Sequence, residues 1–307
     1  MIDVRARLTA ADLPEQLARL GFRGPDVPDA LAAIAAAAQS DTDVARVDAL
    51  ARQLLARIGN FAFAGVENPL EEDEADAEHF GVGVLPLLAL VATSPEVNAF
   101  HRDRGVPDDI SWRSLGDLGQ QAWVHRQTYG EFGLHTYEWM RIAWSGALFW
   151  LGRLQFNLQK TDAEWVLSTH IPATGALTPA SVDDAFRQAR DFFATHFADY
   201  PSGDFYCSSW LLDPELSKAL PAESNMARFQ SRWRLYGEPM RGDDDVLFFT
   251  FFRRGDVDLE TLPQDTSLQR AIVGRLQSGQ HWSVWQGRIP QSSIPSATAH
   301  AATGGAL

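Results

Sequence analysis

The feature that most constrains this fold is the uneven distribution of strand patterns along the 307-residue chain. The first 110 residues carry apolar residues at helical spacing and show no β alternation. Beyond that half, strand-length apolar segments occur at 154–158, 164–172, 204–212, 244–254 and 282–290. Helix patterns at 178–197, 219–237 and 266–279 alternate with them. The first of these helices has Thr178 as its cap and Pro179 in its first turn.

This distribution predicts an α/β (α+β) architecture with two domains, which also agrees with the length of the chain. We expect an α-helical N-terminal domain over residues 1–125 and an α/β domain over residues 126–290. The boundary lies within Pro107–Gly133, where the composition becomes rich in aromatic residues. Residues 291–307 are rich in Ser, Ala, Thr, Gly and Pro, so we expect a disordered tail.

The charge and the hydropathy of the chain limit its partners. The net charge is −14, which disfavours binding to nucleic acid and to anionic membrane surfaces. No segment approaches the roughly 18 consecutive apolar residues of a membrane span, and the N-terminus has no apolar signal core. We therefore expect a soluble cytoplasmic protein with neither nucleic-acid nor membrane partners.

The motifs of metal and nucleotide sites do not occur in the sequence. Cys207 is the single cysteine, which excludes an intrachain disulfide and a cysteine zinc cluster. The eight histidines include no pair at i, i+4. Neither a P-loop nor a G-x-S-x-G elbow occurs. We expect no metal site and no tightly bound cofactor.

His170 is the best candidate for a general base. It ends the predicted strand 164–172, and the carboxyl ends of strands are where open α/β sheets bind their ligands. An imidazole suits the removal of a proton from an amine or a hydroxyl near neutral pH. The alternative is a histidine that satisfies a carbonyl of the following loop.

Segment 204–212 supplies three further catalytic candidates, Tyr206, Cys207 and Ser209. Cys207 with His170 could form a thiolate–imidazole pair, although an apolar strand pattern around a free cysteine favours an inert core residue. Ser209 at the strand end is a candidate proton donor, or it caps the turn that follows. Tyr206 is an alternative proton donor.

Arginines and aromatic residues are the candidates for substrate binding. Arg153 lies among apolar residues before a strand, so it needs either a buried carboxylate or an anionic ligand. Arg228 and Arg253 belong to a possible positive patch, or to solvated surfaces. Phe156 and Trp210 are candidates for lining an apolar pocket.

Five motifs occur in the order of a known family. They are FWLGRLQF (Phe149–Phe156), THIPATGALT (Thr169–Thr178), CSSWLLDPEL (Cys207–Leu216), LPAESNMARFQ (Leu220–Gln230) and LPQDTSLQRAI (Leu262–Ile272). Together they resemble a group of bacterial two-domain acyltransferase-like proteins. That group joins an α-helical N-acyltransferase N-terminal domain to a C-terminal domain resembling the GNAT N-acetyltransferase fold.

The resemblance implies a mixed sheet flanked by helices and transfer of an acyl group from a thioester to a small-molecule amine. Acyl-CoA as co-substrate and an acyl carrier protein are the two donors it leaves open. His170 would then act as the base, Ser209 or Tyr206 as the acid, and Phe156 and Trp210 would line the acyl pocket.

The diphosphate loop of the wider GNAT family is not recognisable in the sequence. That loop reads (Arg/Gln)-x-x-Gly-x-(Gly/Ala), and the nearest string, Gln127–Phe132, ends in Phe and follows a helix pattern. Two other functions therefore stay open. One is a GNAT-like module that binds a small molecule or a peptide without chemistry, and the other is a Cys207/His170 thiol hydrolase.

Overall fold

The chain divides into two compact units. The computed structural model describes residues 2–62, 72, 74–161 and 164–295. The first unit comprises Met1–Trp150 with Asn157–Lys160, and the second comprises Leu151–Phe156 with Thr161–Leu307. The sequence placed the domain boundary after residue 125, whereas the first compact unit continues to Trp150.

The first unit is helical up to its last strand. Its helices are α1 (Val4–Leu8), α2 (Leu13–Arg19), α3 (Asp26–Ala38), α4 (Asp41–Arg57), α5 (Glu74–Phe80), α6 (Val84–Asp103), α7 (Asp108–Leu115), α8 (Asp117–Tyr129) and α9 (Tyr137–Ile142). A π-helical turn, Ala143–Ala147, leads into strand β1 (Leu148–Leu151). Every residue of α6 from Val84 to Ser94 is buried, so this helix forms the centre of the first core.

The second unit contains most of the sheet. Its strands are β2 (Leu154–Lys160, whose last four residues belong to the first unit), β3 (Trp165–His170), β4 (Ser202–Ser209), β5 (Arg234–Arg241) and β6 (Ser283–Pro290). Its helices are α10 (Pro179–His196), α11 (Pro214–Ala219), α12 (Asn225–Gln230), α13 (Asp243–Phe251) and α14 (Ser267–Gln277). Short 3₁₀ turns occur at Trp210–Leu212, Leu259–Thr261 and Gln291–Ser293.

The strand order in the sheet is β1-β2-β3-β4-β6-β5. β3 and β4 are parallel, whereas β6 is antiparallel to both β4 and β5. The mixed sheet flanked by helices is therefore confirmed. The parallel pair is connected through α10, as a βαβ crossover requires.

Helix α10 forms where the sequence predicts it. Thr178 accepts a hydrogen bond from the Ser181 amide, and Pro179 occupies the first turn. The buried face of the helix includes Phe186, whose ring lies 4.7 Å from that of Phe205 on β4. Aromatic packing of this kind fixes the helix against the sheet.

The segment 244–254, predicted as a central strand, is instead helix α13. A continuous apolar run is compatible with either a buried strand or a buried helix. Here Asp243, Asp244 and Asp245 occupy the first turn, where carboxylates interact favourably with the helix dipole. Phe252, with φ of 54°, ends the helix in the left-handed conformation.

The helix predicted over residues 219–237 is also wrong in its second half. α12 ends at Gln230, and β5 begins at Arg234. β5 is an edge strand, and all but one of its residues are exposed. Gly237 and Pro239 interrupt it, which edge strands tolerate. Such a strand has no alternation of apolar and polar residues, so the sequence offers no signal for it.

Of the tail predicted to be disordered, Gln291–Ser293 form a 3₁₀ turn, and residues 296–307 lie outside the described residues. No single helix in the described part of the chain has the length and apolar character to cross a bilayer, although α5 and α6, bent by 77°, meet that test as a pair.

Candidate active site

The parallel strands β3 and β4 stop pairing before they end. Their last pair joins Ser168 to Tyr206, while β3 continues to His170 and β4 continues to Ser209. The pairing of β3 with β4 therefore ends before the carboxyl ends of the two strands, and we call the space between these unpaired ends the opening. Ligands of α/β sheets bind at such ends, which makes this opening the candidate site.

His170 lies at this opening, because it is the last residue of β3. Side chains alternate along a strand, so His170 projects from the same sheet face as Ser168 and its partner Tyr206. Removal from water lowers the pKa of the half-buried imidazole to about 4. The ring is consequently neutral at pH 7 and is able to accept a proton.

Tyr206 shares that face of the sheet. Its ring is half-buried, and desolvation raises the pKa of the phenol above its usual value. The phenol therefore keeps its proton at neutral pH and is able to donate it. Ser209, by contrast, accepts a hydrogen bond from the Leu211 amide at 3.1 Å and caps the 3₁₀ turn. This is the capping role that the sequence analysis left open.

Three of the predicted site residues are core residues in the structure. Cys207 is fully buried, and burial raises the pKa of its thiol to about 12. A thiol of that pKa holds its proton at neutral pH, which removes the physical basis for a thiolate nucleophile. Phe156 is fully buried, with its ring 5.6 Å from that of Phe205. Trp210 is 5% exposed and belongs to the cluster that includes Val246.

Arg153 lies in the turn between β1 and β2, and its charge is incompletely satisfied. Nη2 donates to the Gly175 carbonyl at 3.0 Å. Nε and Nη1 are buried and have no hydrogen-bond partner among the described residues. Desolvation lowers the pKa of this guanidinium. A buried cationic group without a carboxylate is costly unless an anion binds it.

Gly175 places Arg153 beside the loop that joins β3 to α10. This loop, residues 171–178, leads into the amino end of an 18-residue helix. Gly175 has φ of 63°, a conformation that glycine adopts without strain. The positive end of a helix dipole and an arginine with two unsatisfied nitrogens together form a site suited to a phosphate. This loop was not predicted from the sequence, although Gly175 between a strand pattern and a capped helix pattern is a signal for it.

Arg228 and Arg253 do not join this cluster in any contact of the described residues. Arg228 is exposed and pairs with Glu223 at 3.4 Å. Arg253 is exposed and donates to the carbonyls of Phe251 and Phe252. Both side chains behave as solvated surface residues, the alternative that the sequence analysis gave.

The first unit contains a separate groove of about 510 Å³, lined in part by Asp29, Glu78 and Glu131. None of the predicted site residues lies in it. Across residues 2–62, 72, 74–161 and 164–295, no group of three or more His, Cys, Asp or Glu side chains has an arrangement that could hold a metal ion.

Two family models together cover most of the chain. Residues 11–146 match an N-acyltransferase N-terminal domain. Residues 148–289 match a GNAT-like C-terminal domain. A comparison with curated proteins finds no match.

Three solved structures resemble the chain over almost its full length. An acyltransferase in complex with decanoyl-CoA is 32% identical, with a TM-score of 0.78, over 92% of this chain and 87% of that one. A mutant acyltransferase in complex with octanoyl-CoA is 30% identical, with a TM-score of 0.83 and the same coverage. An acyltransferase in complex with CoA and 10C-teicoplanin is 29% identical, with a TM-score of 0.84, over 93% of this chain and 88% of that one.

Proposed function

Because the chain belongs to the two-domain acyltransferases that combine an N-acyltransferase N-terminal domain with a GNAT-like C-terminal domain, we propose that it transfers an acyl group from acyl-CoA to an amine. The resemblance stated from the motifs is thereby confirmed. The observation that carries the proposal is the opening between β3 and β4 beyond the Ser168–Tyr206 pair, with His170 at its edge.

We favour acyl-CoA over an acyl carrier protein as the donor. The related acyltransferases were crystallised with octanoyl-CoA, decanoyl-CoA or CoA. In this chain, loop 171–178, the amino end of α10 and Arg153 would hold the CoA diphosphate. Two buried guanidinium nitrogens without partners are what such an anion would satisfy. Acyl-CoA as the donor fits a cytoplasmic site of action, which we also propose.

The acceptor would be an amine of a small molecule. One related acyltransferase binds 10C-teicoplanin together with CoA, which supports an acceptor of similar size. A binding module without chemistry is not favoured, because a candidate base, His170, and a candidate acid, Tyr206, lie on one face of the sheet beside the opening. A thiol hydrolase is not favoured, because Cys207 is buried and its pKa is raised.

The proposed reaction has two steps. In the first, the amine nitrogen attacks the thioester carbonyl carbon, and His170 takes a proton from the amine, directly or through a water. In the second, the tetrahedral intermediate collapses, the carbon–sulfur bond breaks, and the thiolate of CoA receives a proton from Tyr206. The products are an amide and CoA, and the proton on His170 returns through solvent to restore Tyr206.

Donor binding tests this proposal directly. We expect decanoyl-CoA to bind with a micromolar Kd in isothermal titration calorimetry, and Arg153→Ala to weaken that binding at least tenfold. The physical reason is the loss of the cation beside the helix amino end.

Arg52→Ala is the matched control for that measurement. Arg52 is an exposed arginine on α4 that pairs with Asp48 at 3.2 Å, and its removal should change Kd less than twofold. Wild-type protein that shows no binding of decanoyl-CoA at millimolar concentration would contradict the proposed function.

A further inference from the structure

One face of the sheet carries a row of polar side chains that leads away from the opening between β3 and β4. Side chains of paired residues lie on the same face of a sheet. Ser208 on β4 pairs with Gln286 on β6, and Gln286 pairs with Tyr236 on β5. We call Ser208, Gln286 and Tyr236 the polar row. By alternation along β4, the polar row lies on the face that carries Tyr206.

The polar row is accessible, whereas the opposite face of the same strands is core. Ser208 is exposed, Gln286 is half-buried, and Tyr236 is 37% exposed. On the other face, Phe205 and Cys207 are fully buried. Adjacent strands are about 4.8 Å apart, so the polar row extends roughly 10 Å from β4 to β5. A ligand whose reacting group lies at the opening would therefore extend over these three residues.

The far end of the polar row is held in a fixed position. The Arg288 guanidinium lies 5.4 Å from the Tyr236 ring centre, and its Nε is 3.4 Å from the phenol oxygen. Arg288 also donates to the carboxylates of Asp204, at 3.3 Å, and Glu164. The tyrosine ring is thus fixed by a cation whose charge is already balanced. An immobilised ring loses little conformational entropy when a ligand stacks on it.

We propose that the polar row is the binding surface for the body of the acyl acceptor, beyond its reacting amine. This inference rests on the proposed function and names the class of acceptor. The Ser208 hydroxyl and the Gln286 amide offer hydrogen bonds. The Tyr236 ring offers a flat apolar surface. Beyond its reacting amine, an acceptor that fits these features carries hydroxyl or amide groups and an aromatic or sugar ring.

Removing members of the polar row should affect large acceptors and spare small ones. With decanoyl-CoA as donor, release of CoA is measured at varied concentrations of teicoplanin, a large acceptor, and of glucosamine, a small one. We expect Tyr236→Ala and Gln286→Ala each to raise KM for teicoplanin about tenfold. KM for glucosamine should change less than twofold, because a small amine reaches only the opening.

Met240→Ala is the matched control, since Met240 lies on the same strand, is 54% exposed and is outside the polar row. It should leave both KM values within twofold of wild type. The inference is overturned if the two polar-row variants leave KM for teicoplanin unchanged, or if they raise KM for both acceptors equally.

Binding of decanoyl-CoA, measured in parallel, separates this inference from the proposed function. Wild-type protein that binds decanoyl-CoA but acylates neither amine overturns the acceptor class named here. Wild-type protein that does not bind decanoyl-CoA overturns the proposed function instead.

Discussion

At the scale of single residues, the environment of each side chain decides its chemistry. His170 and Cys207 are both candidates from sequence, and both are desolvated in the fold. Desolvation favours the neutral form of each group. It lowers the pKa of His170 to about 4 and raises that of Cys207 to about 12. The neutral imidazole keeps a free lone pair for a proton, although a pKa of about 4 makes it a weaker base than a solvated histidine. The neutral thiol is a poor nucleophile.

Replacing His170 by alanine should reduce kcat on the order of 10²–10⁴-fold, the usual contribution of a general base. In the wild-type protein, protonation of His170 should remove activity only near pH 4, so a fall in kcat/KM at higher pH should follow the pKa of the acceptor amine, whose neutral form is the nucleophile. Steady-state rates measured between pH 4 and 8 test both statements.

His79→Ala, which removes an exposed histidine on α5, is the control for the alanine variant of His170. If His170→Ala keeps its circular dichroism spectrum and melting temperature and turns over at the wild-type rate, His170 is not the base.

At the scale of elements, packing contacts between α10 and the sheet hold the candidate site in place. Phe186 on α10 packs against Phe156 on β2 and Phe205 on β4, with ring distances of 5.8 and 4.7 Å. This cluster joins the helix that follows loop 171–178 to the strands that flank the opening. From the sequence, we expected Phe156 to line a pocket. In the structure, Phe156 instead belongs to this aromatic cluster.

Truncation of Phe186 to alanine should lower the free energy of unfolding by about 3–5 kcal/mol, because it opens a cavity under α10. Phe249→Ala provides the comparison, since Phe249 on α13 is 57% exposed and its removal should cost less than about 0.5 kcal/mol. Urea unfolding followed by tryptophan fluorescence measures both values, and equal losses in the two variants would contradict the packing described here.

At the scale of the whole molecule, the net charge of −14 and the proposed polyanionic donor are compatible only if positive potential is local. Arg153 and the amino end of α10 provide a local positive potential at loop 171–178. The fold of the first unit also buries histidines. His101 on α6 is fully buried, with Nδ1 2.8 Å from the Ser111 hydroxyl, and its pKa is lowered to about 4 by desolvation.

Buried neutral histidines should make the fold sensitive to acid. His101 has a folded pKa of about 4 and an unfolded pKa of about 6.5, so the unfolded state binds the extra proton between these values. Stability is therefore lost as the pH falls below 6.5, and His101 should account for about 1 kcal/mol between pH 7.5 and 5.5.

Urea unfolding of wild type and of His101→Gln at both pH values measures this contribution. The variant should lose less stability than wild type over the same interval. A loss of the same size in both proteins would show that His101 does not titrate as its burial implies.

The sequence by itself determined those features that depend on short-range patterns. The helical first half, the segments that became β2, β3, β4 and β6, the capped start of α10 at Thr178–Pro179 and the position of His170 at the end of a strand were all readable from residues close together in the chain. The five ordered motifs likewise sufficed to identify the family.

The tertiary structure alone decided what depends on residues distant in sequence. A continuous apolar run gives no preference between strand and helix, so the packing of one face of 243–251 against distant residues such as Ile272 and Trp282 decided that this segment is helix α13. Pairing with β6 decided that the exposed segment 234–241 is a strand. The burial of Phe156, Cys207 and Trp210, the unsatisfied nitrogens of Arg153 and the end of the β3–β4 ladder likewise depend on distant contacts. Local periodicity reports which face of an element is apolar, but not what packs against that face.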